Sequence, residues 1–78
     1  MDRMAIFARD DWNCHLCGVA VDYLADPISD LYPSLDHLTP QSKGGSHDLA
    51  NLATAHRICN SIRRDRSVEE ARLELVHG

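Results

Sequence analysis

Seventy-eight residues with a formal charge of -4 make one small domain, 1–78, with no room for a second. Hydrophobic content is ordinary at 44%, but the only aromatic residues are Phe7, Trp12, Tyr23 and Tyr32, so the core is thin and a staple is expected. Three cysteines are an odd number, which excludes a framework of disulfides alone. The start has no long apolar run, so no signal peptide is expected, and no stretch approaches the roughly 20 apolar residues of a membrane span. A reducing compartment fits, and there Cys-x-x-Cys reads as metal or redox chemistry. The acidic total argues for weak, salt-sensitive affinity for nucleic acid when the chain acts alone.

In chain order, residues 2–10 predict a short helix with Met4, Ala5, Ala8 and Phe7 facing inward. Residues 11–24 read as a metal knuckle running into a β segment, with Gly18 suited to a tight turn. Pro27 and Pro33 make 25–34 mostly loop, and Leu35 to Leu38 is a strand candidate. Thr39 to Ser46 is a turn-rich connection. From Asp48 or Asn51 a helix is expected to run to Arg64, with Leu52, Ala55, Ile58 and Ile62 near one face. Ser67 to Glu70 is a capping box that opens a last helix, continuing through Ala71, Leu73, Leu75 and Val76 to Gly78.

Two half-sites for a metal stand out. Cys14 and Cys17 form one pair on a turn; His56 and Cys59, three apart on the expected helix, form the other. Structural zinc takes four Cys or His ligands as two such pairs. His56 turns the odd three thiols into an even four, and the bound metal would add the folding free energy that a thin core lacks. The bland alternative is a pair of buried thiols or a redox couple with His56 on the surface. His15, inside the first pair, reads as an exposed residue and not a ligand.

Between the pairs lie Leu35-Asp36-His37-Leu38-Thr39-Pro40, Gly44-Gly45 and Asn51-Leu52, and Asn60 follows Cys59. Taken with the clamp and the lead-in Ala8-Arg9-Asp10-Asp11-Trp12, this ordered set resembles the HNH endonuclease family, in its zinc-clamped branch. The resemblance implies an α+β domain of the ββα-metal (His-Me finger) type, with a structural zinc site and flanking helices. It implies metal-dependent hydrolysis of a phosphodiester, leaving a 5′ phosphate and a 3′ hydroxyl. His37 would be the general base, Asp36 and Asn60 the ligands of a catalytic Mg²⁺ or Mn²⁺ (Ni²⁺ is a further candidate), and Asn51 the residue that holds the loop and orients His37. Asn60 stands where the family often has a final His, giving a His-Asn-Asn variant, and His56 replaces a cysteine of the clamp.

The chemistry fits these residue types independently. An imidazole with an ordinary pKa near 6.5 is neutral at working pH and can accept a proton from water. Oxygen donors from Asp and Asn suit hard cations. Asp36 and His37 are adjacent, so in a regular strand they face opposite sides; both reach one phosphate only if the strand bends, bulges or ends there. His47 reads as a loop residue. Lys43, Arg57, Arg63, Arg64 and Arg66 are candidate phosphate contacts on double-stranded DNA; the alternative is a solvated face pairing with Asp65 and Glu69.

A nicking endonuclease is the leading expectation, since one site cuts one strand. A non-catalytic zinc module that binds nucleic acid or protein is the alternative, and a redox Cys-x-x-Cys protein comes third. A bacterial or bacteriophage source, a cytoplasmic location, and a protein partner or homodimer are the remaining expectations.

Overall fold

The structure is a computed structural model that describes residues 3–64 and 66–77, the last four of these in backbone only. Its elements run α1 (Arg3–Arg9), β1 (Pro33–His37), β2 (Leu52–His56), α2 (Arg57–Arg63) and α3 (Val68–His77). Single 3₁₀ turns cover Gln41–Lys43 and Leu49–Asn51. β1 and β2 form a two-stranded antiparallel sheet in which Pro33 pairs with His56, Asp36 with Ala53 and His37 with Leu52. α2 follows β2 without a connecting loop. This is the α+β, ββα order that the resemblance implies.

The expected helix from Asp48 or Asn51 to Arg64 is corrected in its first half. Residues 49–51 are a 3₁₀ turn, Leu52–His56 is a strand, and only Arg57–Arg63 is α-helical. Leu52 and Ala55 sit at helical spacing, and Ala53 and Ala55 favour helix locally. Yet all five residues of β2 are buried. A strand covered on both sides shows no alternation, so a short apolar run of this kind reads equally as helix or strand. Pairing with β1 and a side-chain grip from Asp10 decide the matter. Thr54 donates to Asp10 Oδ2 through both its backbone N–H (2.9 Å) and its hydroxyl (3.0 Å). Arg9 reaches the same segment, donating from Nη1 to the carbonyl of Leu49 and from Nη2 to that of Leu52.

That grip also sets the rotation of α1. Ile6 and Phe7 are buried, whereas Met4, Ala5 and Ala8, expected to face inward, are exposed. The carbonyl of Ile6 lies against the Thr54 hydroxyl, which turns this side of the helix to β2. After α1 the chain reverses through Asp11 and Trp12, both at positive φ. Trp12 stacks between Phe7 (5.8 Å between ring centroids) and Tyr23 (4.7 Å).

The knuckle holds its turn with Gly18 at φ 81°, as expected of a residue without a Cβ. The β segment expected after it is reduced to one bridge, between Asn13 and Ala20. β1 begins and ends slightly earlier than the expected Leu35–Leu38, a shift within normal boundary scatter. α3 starts where the capping box predicts. The Glu70 N–H donates to Ser67 Oγ, and the Ser67 hydroxyl donates to the Glu70 carboxylate, both at 3.1 Å. Gly78 and Asp65 lie outside the described residues.

The central core cluster comprises Cys14, Leu16, Val21, Ala55, Cys59 and Ala71, with Trp12, Cys17 and Val68 packed against it. Three of these nine are the cysteines. The thin core foreseen from composition is therefore built around the clamp itself. Ile58, expected on the inner face of the helix, is exposed.

Two consequences can be measured. A Cβ at Gly45 would lie 1.7 Å from the Thr39 carbonyl oxygen. Gly45→Ala should therefore cost about 1–3 kcal/mol in urea unfolding, as overpacking does. For Asp10, burial would raise the carboxyl pKa. Arg9 and the Thr54 donors outweigh it and hold the pKa below the ordinary value. A depressed folded pKa means the stabilisation is complete at pH 7 and is lost as pH falls through that value, below about 4. Asp10→Ala should cost about 1–3 kcal/mol at pH 7, and the Asp10 carboxyl should titrate below an ordinary aspartate by carbon NMR.

Candidate metal clamp and active site

The knuckle and the β2–α2 junction bring Cys14, Cys17, His56 and Cys59 together. Their ligand atoms all lie within 4.8 Å of one another. His56 is the last residue of β2 and stands at the N-cap of α2, not inside a helix as its spacing had suggested. Its Nε2 donates to the Ala20 carbonyl (2.9 Å), which leaves Nδ1 facing Cys17 Sγ at 3.4 Å and Cys59 Sγ at 3.7 Å. A backbone carbonyl on the far ring nitrogen is the usual support of a metal-bound imidazole.

Electrostatics agree with a cation site. Burial, and then the neighbouring thiols Cys14 and Cys17, push the Cys59 thiol far above its ordinary pKa. Three thiols packed this closely in the core cannot all ionise unless a cation compensates them. Zinc bound to sulfur at about 2.3 Å places its ligand atoms at separations of this order. The four residues can hold a zinc ion.

The second group lies along β1 and the loop that follows. Asp36 is 3% exposed. Its Oδ2 accepts from Arg63 Nη1 at 2.5 Å and lies 2.6 Å from His15 Nε2. Two sequence readings are corrected here. His15 is not an exposed residue: its ring packs inward, and only 14% of the side chain is accessible. The knuckle turn that converges Cys14 and Cys17 carries it to β1. Arg63 is not a phosphate contact: it is fully buried, with 0% exposure. Besides Asp36, it donates to the carbonyls of His37 (2.8 Å), Leu38 (2.6 Å) and Arg66 (2.9 Å). Four acceptors leave its guanidinium committed to bracing the end of β1 against α2.

β1 pairs regularly through Asp36 and His37 and then ends, so the strand is not bulged at the pair. As alternation requires, the two side chains meet different neighbours. His37 Nε2 lies 3.0 Å from His47 Nδ1, and His47 Nε2 lies 2.8 Å from Gln41 Nε2. The two imidazoles meet edge to face with centroids 4.9 Å apart. His47 thus has a specific partner that the sequence reading missed.

Asn51 ties the same loop at both ends. Its Oδ1 accepts from the Thr39 N–H (2.8 Å), and its Nδ2 donates to the carbonyls of Thr39 (3.1 Å) and Ser46 (2.8 Å). Its carbonyl also accepts from the Leu38 N–H (2.8 Å). Asn60, on α2, donates from Nδ2 to Ser34 Oγ (3.0 Å) and to the Leu35 carbonyl (3.2 Å). Asn60 and Arg63 are one helical turn apart and grip successive positions of β1.

Among the other cations, Lys43, Arg57 and Arg64 are exposed and Arg66 is half-buried. Arg57 donates to the Ile28 carbonyl at 2.6 Å, and Arg66 donates to the carbonyls of Ile62 and Arg63. Among the described residues no helix is long and apolar enough to cross a membrane.

The HNH endonuclease family profile matches residues 14–66, from the first clamp cysteine to the end of the α2 region. No curated protein and no solved structure matches the chain. The match covers more than half of the sequence, and the fold beneath it is ββα with a four-residue clamp, so the chain belongs to the HNH endonuclease family.

Proposed function

We propose that the protein is a metal-dependent endonuclease that nicks double-stranded DNA, leaving a 5′ phosphate and a 3′ hydroxyl. One observation carries this reading. β1, the tied loop and α2 carry Asp36, His37, Asn51 and Asn60, the residues to which the resemblance assigns the chemistry, inside the span that the family profile matches.

His37 would accept a proton from the attacking water. The ring chain decides which nitrogen does so. With Gln41 Nε2 donating to His47 Nε2, His47 Nδ1–H donates to His37 Nε2, and the His37 hydrogen sits on Nδ1. A half-turn of the Gln41 amide puts its oxygen on His47 and reverses the chain. His37 Nε2–H then donates to His47, and Nδ1 is free to act as the base. In that second arrangement Gln41 and His47 would set the tautomer that a base at His37 needs.

Asp36 and Asn60 would hold the catalytic cation. The known contacts of Asp36 both fall on Oδ2, so Oδ1 is the atom through which it would meet a metal. The amide nitrogen of Asn60 is committed to β1, which assigns its oxygen to the same task. Two oxygen donors favour Mg²⁺ or Mn²⁺, with Ni²⁺ a further candidate. When bound, such an ion supplies Lewis-acid stabilisation of charge on the phosphate and the leaving oxygen. Cys14, Cys17, His56 and Cys59 would hold a structural zinc. Lys43, Arg57, Arg64 and Arg66 remain as phosphate contacts, and the protein would act in the cytoplasm of a bacterium or phage-infected cell. The acidic total favours a protein partner or a homodimer that adds affinity for DNA.

The competing reading is a zinc-stabilised module that binds nucleic acid or protein without cutting. Plasmid nicking with Mg²⁺, Mn²⁺ or Ni²⁺ separates the two. Wild type should nick, and His37→Ala should lose about 10²–10⁴-fold in rate, the range for a general base. Equal inertness of both under every metal would give the case to the binding module. For the clamp, elemental analysis should find one zinc per chain. Cys59→Ser should lose it and melt at least about 10 °C lower; an unchanged melt would sink the structural role.

A further inference from the structure

His15 sits between two clamp thiols, yet the clamp does not use it. Three separate elements fix it. Its backbone N–H donates to the Thr54 carbonyl of β2 (2.9 Å), and its carbonyl accepts from Arg72 Nε of α3 (2.8 Å). Its ring meets Asp36 Oδ2 on β1 at 2.6 Å, with little of the side chain accessible. Cys14 and Cys17 flank it, and the Gly18 N–H closes the knuckle on the Cys14 carbonyl (2.9 Å). The backbone that carries the ring therefore cannot shift without moving the clamp thiols on either side.

We propose that His15 is the positioning residue for the Asp36 carboxylate, and that assembling the clamp thereby aims the catalytic centre. The proposal rests on the nuclease reading for the role of Asp36. Arg63 alone would hold Oδ2 from α2, leaving the carboxylate free to turn about that one contact. A second donor from the knuckle removes this freedom and gives Oδ1 one direction. A carboxylate that is held in this way loses less order on meeting a cation. The link also joins two metal requirements that otherwise look independent. Loss of the clamp ion would release the turn that carries His15, and with it the aim of Asp36.

The test is Mn²⁺ binding to the pure, zinc-loaded protein, followed by the electron paramagnetic resonance of free Mn²⁺, beside steady-state nicking. Asp36→Asn identifies the site by abolishing it. His15→Ala should weaken Mn²⁺ binding by about 10–100-fold, the range for groups that support a metal ligand. It should lower kcat while KM for plasmid and zinc content stay as in wild type. His15→Gln, whose amide can donate to Asp36, should restore most of both. If His15→Ala fails to keep its zinc, His15→Met, which keeps the bulk and removes the donor, takes its place. Wild-type Mn²⁺ affinity and kcat in a zinc-loaded His15→Ala or His15→Met would overturn the proposal and leave the nuclease reading standing. Asp36-dependent Mn²⁺ binding without any nicking would overturn the nuclease reading, and the His15 variants would still decide this one. Absence of an Asp36-dependent Mn²⁺ site in wild type would overturn both the catalytic-metal assignment and the proposal.

Discussion

The fold depends on closing one gap, between the knuckle at Cys14 and Cys17 and the strand-to-helix junction at His56 and Cys59. The grip of Ile6 and Asp10 on Thr54 and the contact of His15 with Asp36 join the same two parts of the chain beside it. The same residues are both clamp and core: the cysteines pack with Leu16, Val21, Ala55 and Ala71. Without a cation that arrangement is a liability, because burial and its neighbours push the Cys59 thiol up and small thiols offer little hydrophobic area. With one, the charge problem becomes the source of cohesion. In a chain that buries so small an apolar core, coordination by these four residues would take the place of buried area.

Clamp and candidate site are joined by geometry as well as stability. His56 ends β2, Cys59 lies in the first turn of α2, and Asn60 follows immediately. Fixing His56 and Cys59 therefore fixes the helix face that carries Asn60 and Arg63. Those two side chains then hold β1 at Ser34, Leu35 and Asp36, and at the carbonyls beyond it. On the other side, Arg9 and Asp10 grip the Leu49–Thr54 segment, so the loop between the strands is anchored at its far end too. Asn51 closes that loop on itself. The exposed His37–His47–Gln41 chain is consequently the part of the site supported least by burial and most by hydrogen bonds.

The clamp and the last helix's cap were legible in the sequence because each rests on residue identity and spacing, whereas the ββα order came only through the family resemblance. Cysteine pairs, the Gly44-Gly45 turn and the Ser67 cap are local signals. The failures are equally specific. Residues 52–56 read as helix because Ala carries no strand signal and full burial erases alternation; only pairing with β1 decides. Met4, Ala5 and Ala8 read as inward because the rotation of a seven-residue helix is set by Arg9 and Asp10 and not by its own apolar pattern. His15 and Arg63 were misread for one reason: both are polar residues whose partner, Asp36, is distant in sequence. A buried carboxylate recruits such partners, but its burial cannot be seen without the fold.

Burying Arg63 changes the charge argument as well as the contact list. No lysine or arginine lies between Arg9 and Lys43, a span that includes Asp10, Asp11, Asp22, Asp26, Asp30 and Asp36. Of these, Asp36 is offset internally by Arg63 and Asp10 by Arg9. Asp22, Asp26 and Asp30 stay exposed on the segment leading into β1. The cations left to face a phosphate backbone are few, and Arg66 spends part of its guanidinium on α2 carbonyls. Each phosphate contact adds about one unit to the salt slope, so with Arg63 buried the salt dependence of any nucleic-acid binding would be shallower than the sequence led one to expect. On the proposed function, a cation held by Asp36 and Asn60 would then be the positive charge that most needs to lie near the scissile phosphate. The buried Arg63 would serve that end indirectly, by holding the Asp36 carboxylate in place.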